Sequence, residues 1–179
     1  MKRIEIPGGE YWDEINEQFI YKKPQIIQIE HSLVSIAKWE SKWHKPFLQT
    51  KQLTIEESLD YLRCMTLTQN VDPYVYLRID DKTMQEINDY ISDPMTATWF
   101  SDQKKKGNKE VITAEIIYYW MVALGIPFEC QKWHLNRLLT LVQVCNIKNS
   151  PSKKMRPKEI LANNAALNAA RRKALNTKG

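Results

Sequence analysis

Three cysteines and three histidines are the side chains here best suited to metal or nucleophile chemistry, and their spacing decides how far that reading goes. Cys130 and His134 are four residues apart, about one helical turn, so a helix would set both on one face. Cys64, Cys145, His31 and His44 could then complete a tetrahedral zinc shell. The spacing matches no zinc-binding pattern, however, and each cysteine lies inside an apolar run, where a free thiol behaves as a small hydrophobe. The expectation is no metal ligand and no cofactor. Neither Cys64 nor Cys130 stands at a strand–elbow–helix junction that would present a nucleophile. The acid pairs Glu56-Glu57 and Asp80-Asp81 fall at helix starts, where carboxylates answer the helix dipole and cap free N–H groups. "PGGEYW" lacks the lysine and the strand-to-helix grammar of a phosphate loop. No catalytic residue emerges, and the expectation is a protein that is not an enzyme.

Charge is distributed in a way that points to binding instead. The formal net charge is +5, yet residues 148–179 hold nine Lys or Arg against one acid, Glu159, for +8. Residues 1–147 therefore carry −3. A mildly acidic body with a basic tail marks an interaction arm, directed at nucleic acid or at an acidic protein surface. The helix–Gly–helix unit at 113–146 superficially resembles a helix-turn-helix, but its second helix is mostly apolar, with only Lys132, His134 and Arg137 near its start. A recognition helix exposes a polar, basic face. Nucleic acid is thus the lesser expectation, confined to phosphate contacts by the tail.

The elements that would carry these groups are mainly helical: an α+β chain with a small N-terminal β element and a basic C-terminal helix. Two units are expected, a globular domain at 1–147 and a linker with a helical arm at 148–179. "RIEIPGG" and "QIIQIEH" read as strands able to form a small sheet, and "YWDEINEQFIY" between them as a short helix or loop. Ser32 caps a helix with Leu33, Ile36, Trp39 and Trp43 at helical spacing, ended by Pro46. Thr54 with Glu57, and Thr83 with Glu86, form capping boxes for two more helices. In the first of these, Ile55, Leu59, Leu62 and Met65 recur at helical spacing, and Asn70–Tyr74 is a turn after it. A loop follows the second and ends in the lysines at 104–106. Thr113 caps "AEIIYYWMVAL", Gly125 ends it, and "ECQKWHLNRLLTLVQVCNI" runs on as a second long helix. That helical pair is expected to form the core.

"KNSPSKKMRP" is a basic linker, and Pro157 begins the last helix, "KEILANNAALNAARRKALN". Its apolar face is shallow. Leu161, Asn168 and Leu175 share one heptad line, so the helix gains little from packing and is marginal alone. Partner-binding residues are expected in Leu167, Arg171, Arg172, Lys173 and Leu175, together with Trp39 and Trp43 as interface anchors. The opposing expectation for the two tryptophans is a place in or at the edge of the core. An odd cysteine count and a charged start, "MKRIEIPGGEYWDE", suit the cytoplasm and argue against secretion. "IIYYWMVALGIPF" is too short to span a bilayer.

Four stretches taken together carry a family likeness: "EHSLVSIAKWESKWHKPFL", "CMTLTQNVDPYVY", "EIIYYWMVALGIPFECQKWHLNRLLTLVQVCNIKNSPSKKM" and "NNAALNAARRKALNTKG". Over nearly its whole length the chain resembles the tail assembly chaperones of long-tailed bacteriophages. The likeness lies in word-like segments, not in a catalytic signature. It implies a non-enzymatic protein in the host cytoplasm that coats the helical tape measure protein and recruits tail tube protein during tail morphogenesis. It supplies no catalytic residue. A homo-oligomer through the tail, a nucleic-acid-associated accessory protein and a structural virion adaptor remain as alternatives.

Overall fold

The alternation of isoleucine with polar residues near the start does form strands. In the computed structural model, which describes residues 1–13, 16–100, 110–150 and 157–175, β1 (Lys2–Ile6) pairs antiparallel with β4 (Gln25–Ile29), in a register that sets Ile4 opposite Ile27. Ile4, Ile6, Ile27 and Ile29 point to one face and are buried. The other edge of β4 is held by the chain after the second helix, through Glu30 N–H to the Met65 carbonyl (2.9 Å) and Leu67 N–H to the Gln28 carbonyl (2.8 Å).

The expected helix or loop at 11–21 is instead a second hairpin, β2 (Gly9–Asp13) with β3 (Gln18–Lys22). The reason is aromatic pairing. Trp12 lies directly across from Phe19, their rings edge-on at 5.1 Å, and such cross-strand aromatic pairs favour the pleated backbone. Two devices fix the base of this hairpin. Arg78, buried, donates from Nη1 to the carbonyls of Pro7 (2.9 Å) and Lys23 (3.0 Å). Gly8 lies so close to the Tyr21 hydroxyl and the Lys22 carbonyl that a Cβ would meet them at 2.7 and 2.9 Å.

Helix α1 (Leu33–Trp43) begins in a capping box between Ser32 and Ser35, and His44 leaves it in the left-handed region. Helix α2 (Ile55–Met65) begins with the Thr54–Glu57 box, as its sequence predicts. The expected turn at Asn70–Tyr74 leads, from Pro73, into a 3-10 segment at Pro73–Arg78. Helix α3 (Asp81–Ser92) is capped by Asp80, whose carboxylate accepts from Thr83 N–H at 2.8 Å. The expected cap by Thr83 fails because the helix starts earlier, at Asp80, which leaves Thr83 inside the first turn as the donor to the cap.

Helix α4 (Ala114–Ala123) corrects a second cap. The Thr113 side chain makes no capping bond. The buried carboxylate of Glu40, on α1, accepts from Ala114 N–H (2.7 Å) through one oxygen and from Phe47 N–H (2.8 Å) through the other. One side chain thereby satisfies a helix N-terminus and the turn after α1, which a charged acceptor does better than a hydroxyl. Gly125, at φ 63°, closes α4 in the left-handed region that glycine adopts at low cost. The long second helix of the sequence reading starts late. Phe128–Lys132 is a 3-10 turn and α5 runs Leu135–Asn149. Trp133 backbone is extended between them, and Leu135 N–H is bound to the His31 carbonyl at 2.7 Å. The core is therefore wider than the α4–α5 pair. It gathers β1, β4, α1, α2, α3, α4 and α5, with Trp39, Leu62, Met65, Ile87, Ile117, Met121 and Leu138 among its buried side chains. Contacts divide the chain into two compact units, 1–146 and 147–179; the second contains α6 (Pro157–Leu175). The lysines at 104–106 and the linker at 151–156 lie outside the described residues.

Candidate partner-binding surface

The sulfur and imidazole groups do not form a site. Among the described residues no group of three or more His, Cys, Asp or Glu could hold a metal ion. Cys130 and His134 fall on a 3-10 turn and just before α5, not on one helical face. Burial, with Asp60 nearby, pushes the Cys64 thiol up, away from the thiolate a nucleophile needs. His31 and His134 are both buried and meet edge-on at 5.1 Å, at the junction of β4, α1 and α5. His31 Nδ1 hydrogen-bonds the Tyr61 hydroxyl, and His134 donates from Nε2 to the Tyr90 carbonyl (3.0 Å). Burial lowers both imidazoles, and the neighbouring His134 adds to the fall at His31, to about 3. Two neutral rings thus serve as polar mortar between elements.

The tryptophans resolve against the anchor reading. Trp39 is 0% exposed, with Nε1 donating to the Glu57 carbonyl at 3.0 Å. It belongs to the core because the same α1 stripe that carries it also carries Leu33 and Ile36. Trp43 is half-buried, stacked on Trp39 at 6.2 Å, with Nε1 bound to Asp60 at 2.9 Å and the Lys42 and Lys45 ammonium groups over its ring. Both indole donors are spent inside the chain, so neither is a free interface anchor. Burial pushes the Asp60 carboxyl up, but bonds from Lys42 and Trp43 outweigh it and hold it low. Glu57 is held low first by Lys45. This cluster locks α1 to α2.

Helix α6 is different. Its bulky side chains Leu161, Leu167 and Leu175 are 70%, 56% and 72% exposed. Arg171, Arg172 and Lys173 are exposed as well. Leu161, Asn164, Asn168, Arg171 and Leu175 follow at three- and four-residue intervals, so they share one stripe that Leu167 adjoins. Ala162, Ala165, Ala166, Ala169 and Ala170 fill the opposite side. The sequence-predicted residues 167, 171–173 and 175 are thus brought together on one helix of the second unit, and Trp39 and Trp43 belong to the first.

Sequence reasoning missed a groove in that first unit. Helices α2 and α3 leave a cavity of about 450 Å³ between them. Phe47, Leu59, Leu62, Met65, Met84 and Ile91 are among its walls, with Ser58 and Asn88 as the polar members. Ile55, the first of the helically spaced apolar residues of α2, is 83% exposed at its margin. The signal was present: α2 carries two apolar stripes, Ile55-Leu59-Leu62 and Leu62-Met65 with Tyr61, more than one packing contact requires. No helix of the described residues is long and apolar enough to cross a membrane. Neither a family model, a curated protein nor a solved structure matches the chain.

Proposed function

We propose that the protein is a non-enzymatic tail assembly chaperone of a long-tailed bacteriophage, acting in the host cytoplasm and binding the tape measure and tail tube proteins as the tail is built. The family likeness of the four sequence stretches supplies the system. The observation that carries the binding role is the state of α6, a helix whose leucines and three consecutive bases are all open to solvent. Left uncovered, a helix with that little packing is marginal, and contact with a partner is the direct way to stabilise it. A tape measure protein offers long helices with apolar seams, which an amphipathic helix can meet in the helix-on-groove manner.

Co-expression with the tape measure protein tests this. The full chain should co-purify with it, and a chain ended after Ser150 should stay folded yet capture at least tenfold less. Undiminished capture by the shortened chain would remove the arm from the account. The exposed Arg171–Lys173 run favours one competing reading, phosphate binding by the arm. Retention on DNA at physiological salt, falling steeply as salt rises, would support that reading, because counterion release dominates such contacts. The tail chaperone reading expects negligible retention.

A further inference from the structure

The β2–β3 hairpin continues the core-facing side of β1 and β4 outward, and there that side turns aromatic. The pairing does not slip between the two ladders: Ile6 lies opposite Gln25 and Gly9 opposite Lys22, three residues on along each strand. The alternation that turns Ile4, Ile6, Ile27 and Ile29 to the core therefore sets Glu10, Trp12, Phe19 and Tyr21 on the same side farther out. Gly8 agrees, since a Cβ there would point at the Tyr21 hydroxyl, 2.7 Å away. These rings stay open: Trp12 is 52%, Phe19 70% and Tyr21 63% exposed. A two-stranded ribbon is marginal in water by itself and gains from cover on such a side.

Charge selects the cover. Positions 9–21 hold Glu10, Asp13, Glu14 and Glu17 and no base, a net of −4. Glu10 is exposed on the aromatic face, across from Tyr21, and Glu17 is exposed in the turn two residues from Phe19. The next base, Lys22, alternates to the other side, where it pairs with Asp72 at 3.0 Å. Phosphates and anionic lipids are repelled by such a surface, whereas an Arg or Lys side chain gains a ring face and a carboxylate together. The chain makes this pairing elsewhere, with Arg137 over the Trp133 ring at 4.2 Å and Lys22 over Tyr74 at 4.9 Å. Among the described residues no cation lies over Trp12, Phe19 or Tyr21. Helix α6 has the matching character. Lys158, Arg171, Arg172 and Lys173 against Glu159 make it +3. Leu167, Arg171 and Leu175 recur at four-residue steps as one exposed ridge, about 12 Å long at 1.5 Å per residue.

We propose that the aromatic face of the β2–β3 hairpin in one molecule receives the Leu167–Arg171–Leu175 ridge of α6 from a second copy. Arg171 lies over the Trp12 ring with its charge toward Glu10, and the flanking leucines cover Phe19 and Tyr21. Both surfaces are exposed in the single chain, so each is free to take its counterpart from a neighbour. Each copy gives one hairpin and one arm, and reciprocal docking closes a two-fold dimer. The proposal stands on this chain alone and does not depend on the tail-assembly reading.

Sedimentation velocity of the full chain over a concentration series tests it, through a charge swap between two exposed side chains that no fold contact depends on. Wild type should dimerise, and the dimer should weaken as salt rises, because the contact is partly ionic. Glu10→Lys and Arg171→Glu each set like charges against one another, twice in a two-fold dimer, so each variant alone should dissociate at least tenfold more readily. The deciding protein carries both changes. Its charges are opposite again, and its dimer should return to within about threefold of wild type. Glu129→Lys, an exposed position outside the hairpin with the same change in charge as Glu10→Lys, should leave the dimer as it is. A wild type that is monomeric throughout, single variants that dimerise as tightly as wild type, a double variant no tighter than the singles, or an equal loss in Glu129→Lys would each overturn the proposal.

Discussion

Acidification should loosen this protein well before its carboxylates titrate, because His31 is held neutral inside the fold. Its folded pKa is about 3 against an ordinary value of 6.5. Burial is the larger cause and the facing His134 ring the second, since a charge on either imidazole would be desolvated and would repel a charge on the other. The unfolded chain therefore takes up a proton first. The stability that His31 contributes is complete above its unfolded value and drains away as pH falls from about 6.5 toward 3. The slope through that window approaches 1.4 kcal/mol per pH unit for one proton, so the loss between pH 7 and pH 5 is about 2 kcal/mol. His134, lowered in the same direction by burial, adds to it. The low-lying carboxyls of Glu57 and Asp60 lose their contribution only at more acid pH, below the ordinary carboxylate range, so the interval from 7 to 5 isolates the histidines. Urea unfolding of wild type and His31→Asn at pH 7, 6 and 5 reads the effect. Asparagine keeps a polar group toward Tyr61 but cannot titrate, so its profile should be flatter by most of those 2 kcal/mol even if its stability at pH 7 is lower. Parallel profiles for the two proteins would refute the reasoning.

Three further substitutions probe the joints of the fold. Glu40→Ala leaves the buried N–H groups of Phe47 and Ala114 without their acceptor and should cost about 3 kcal/mol in urea unfolding, taking about 1.5 kcal/mol for each bond to a charged group; a loss below about 1 kcal/mol would contradict this capping role. Arg78→Ala strips the Pro7 and Lys23 carbonyls of their donor, so amides of β2 and β3 should exchange with solvent at least tenfold faster than those of β1 and β4; a uniform change across all four strands would oppose a clamp on the hairpin. Gly125→Ala meets nothing within 4 Å, so only the left-handed backbone opposes it, and a destabilisation of about 1 kcal/mol is expected in thermal melts; an unchanged melting temperature would contradict that.

What the sequence made legible was local. The isoleucine alternation of β1 and β4, the Ser32 and Thr54 caps, Pro46 as a stop, Gly125 at a helix end and Pro157 at a helix start are all signals carried within a few residues, and each element stands where they place it. Most of the failures turn on a partner outside the local pattern. Phe19 explains Trp12 as a strand residue, and Glu40, 74 positions from Ala114, takes the capping role assigned to Thr113. Trp39 and Trp43 look alike in an α1 helical wheel; only the Glu57 carbonyl and the Asp60 carboxylate of α2 show that both indole donors are already occupied. The groove was invisible for the same reason, since it exists only once α2 and α3 lie side by side. The arm was readable because its property is compositional, alanine and arginine with too few leucines to build an interior.

The account turns on α6 acting as a docking limb, and the most direct measurement keeps the chain at full length. With Leu161, Leu167 and Leu175 all changed to Asp, co-purification with the tape measure protein should fall at least tenfold while the melting temperature of the body stays within a degree or so of wild type, as surface substitutions do. Capture equal to that of the unaltered chain would contradict it.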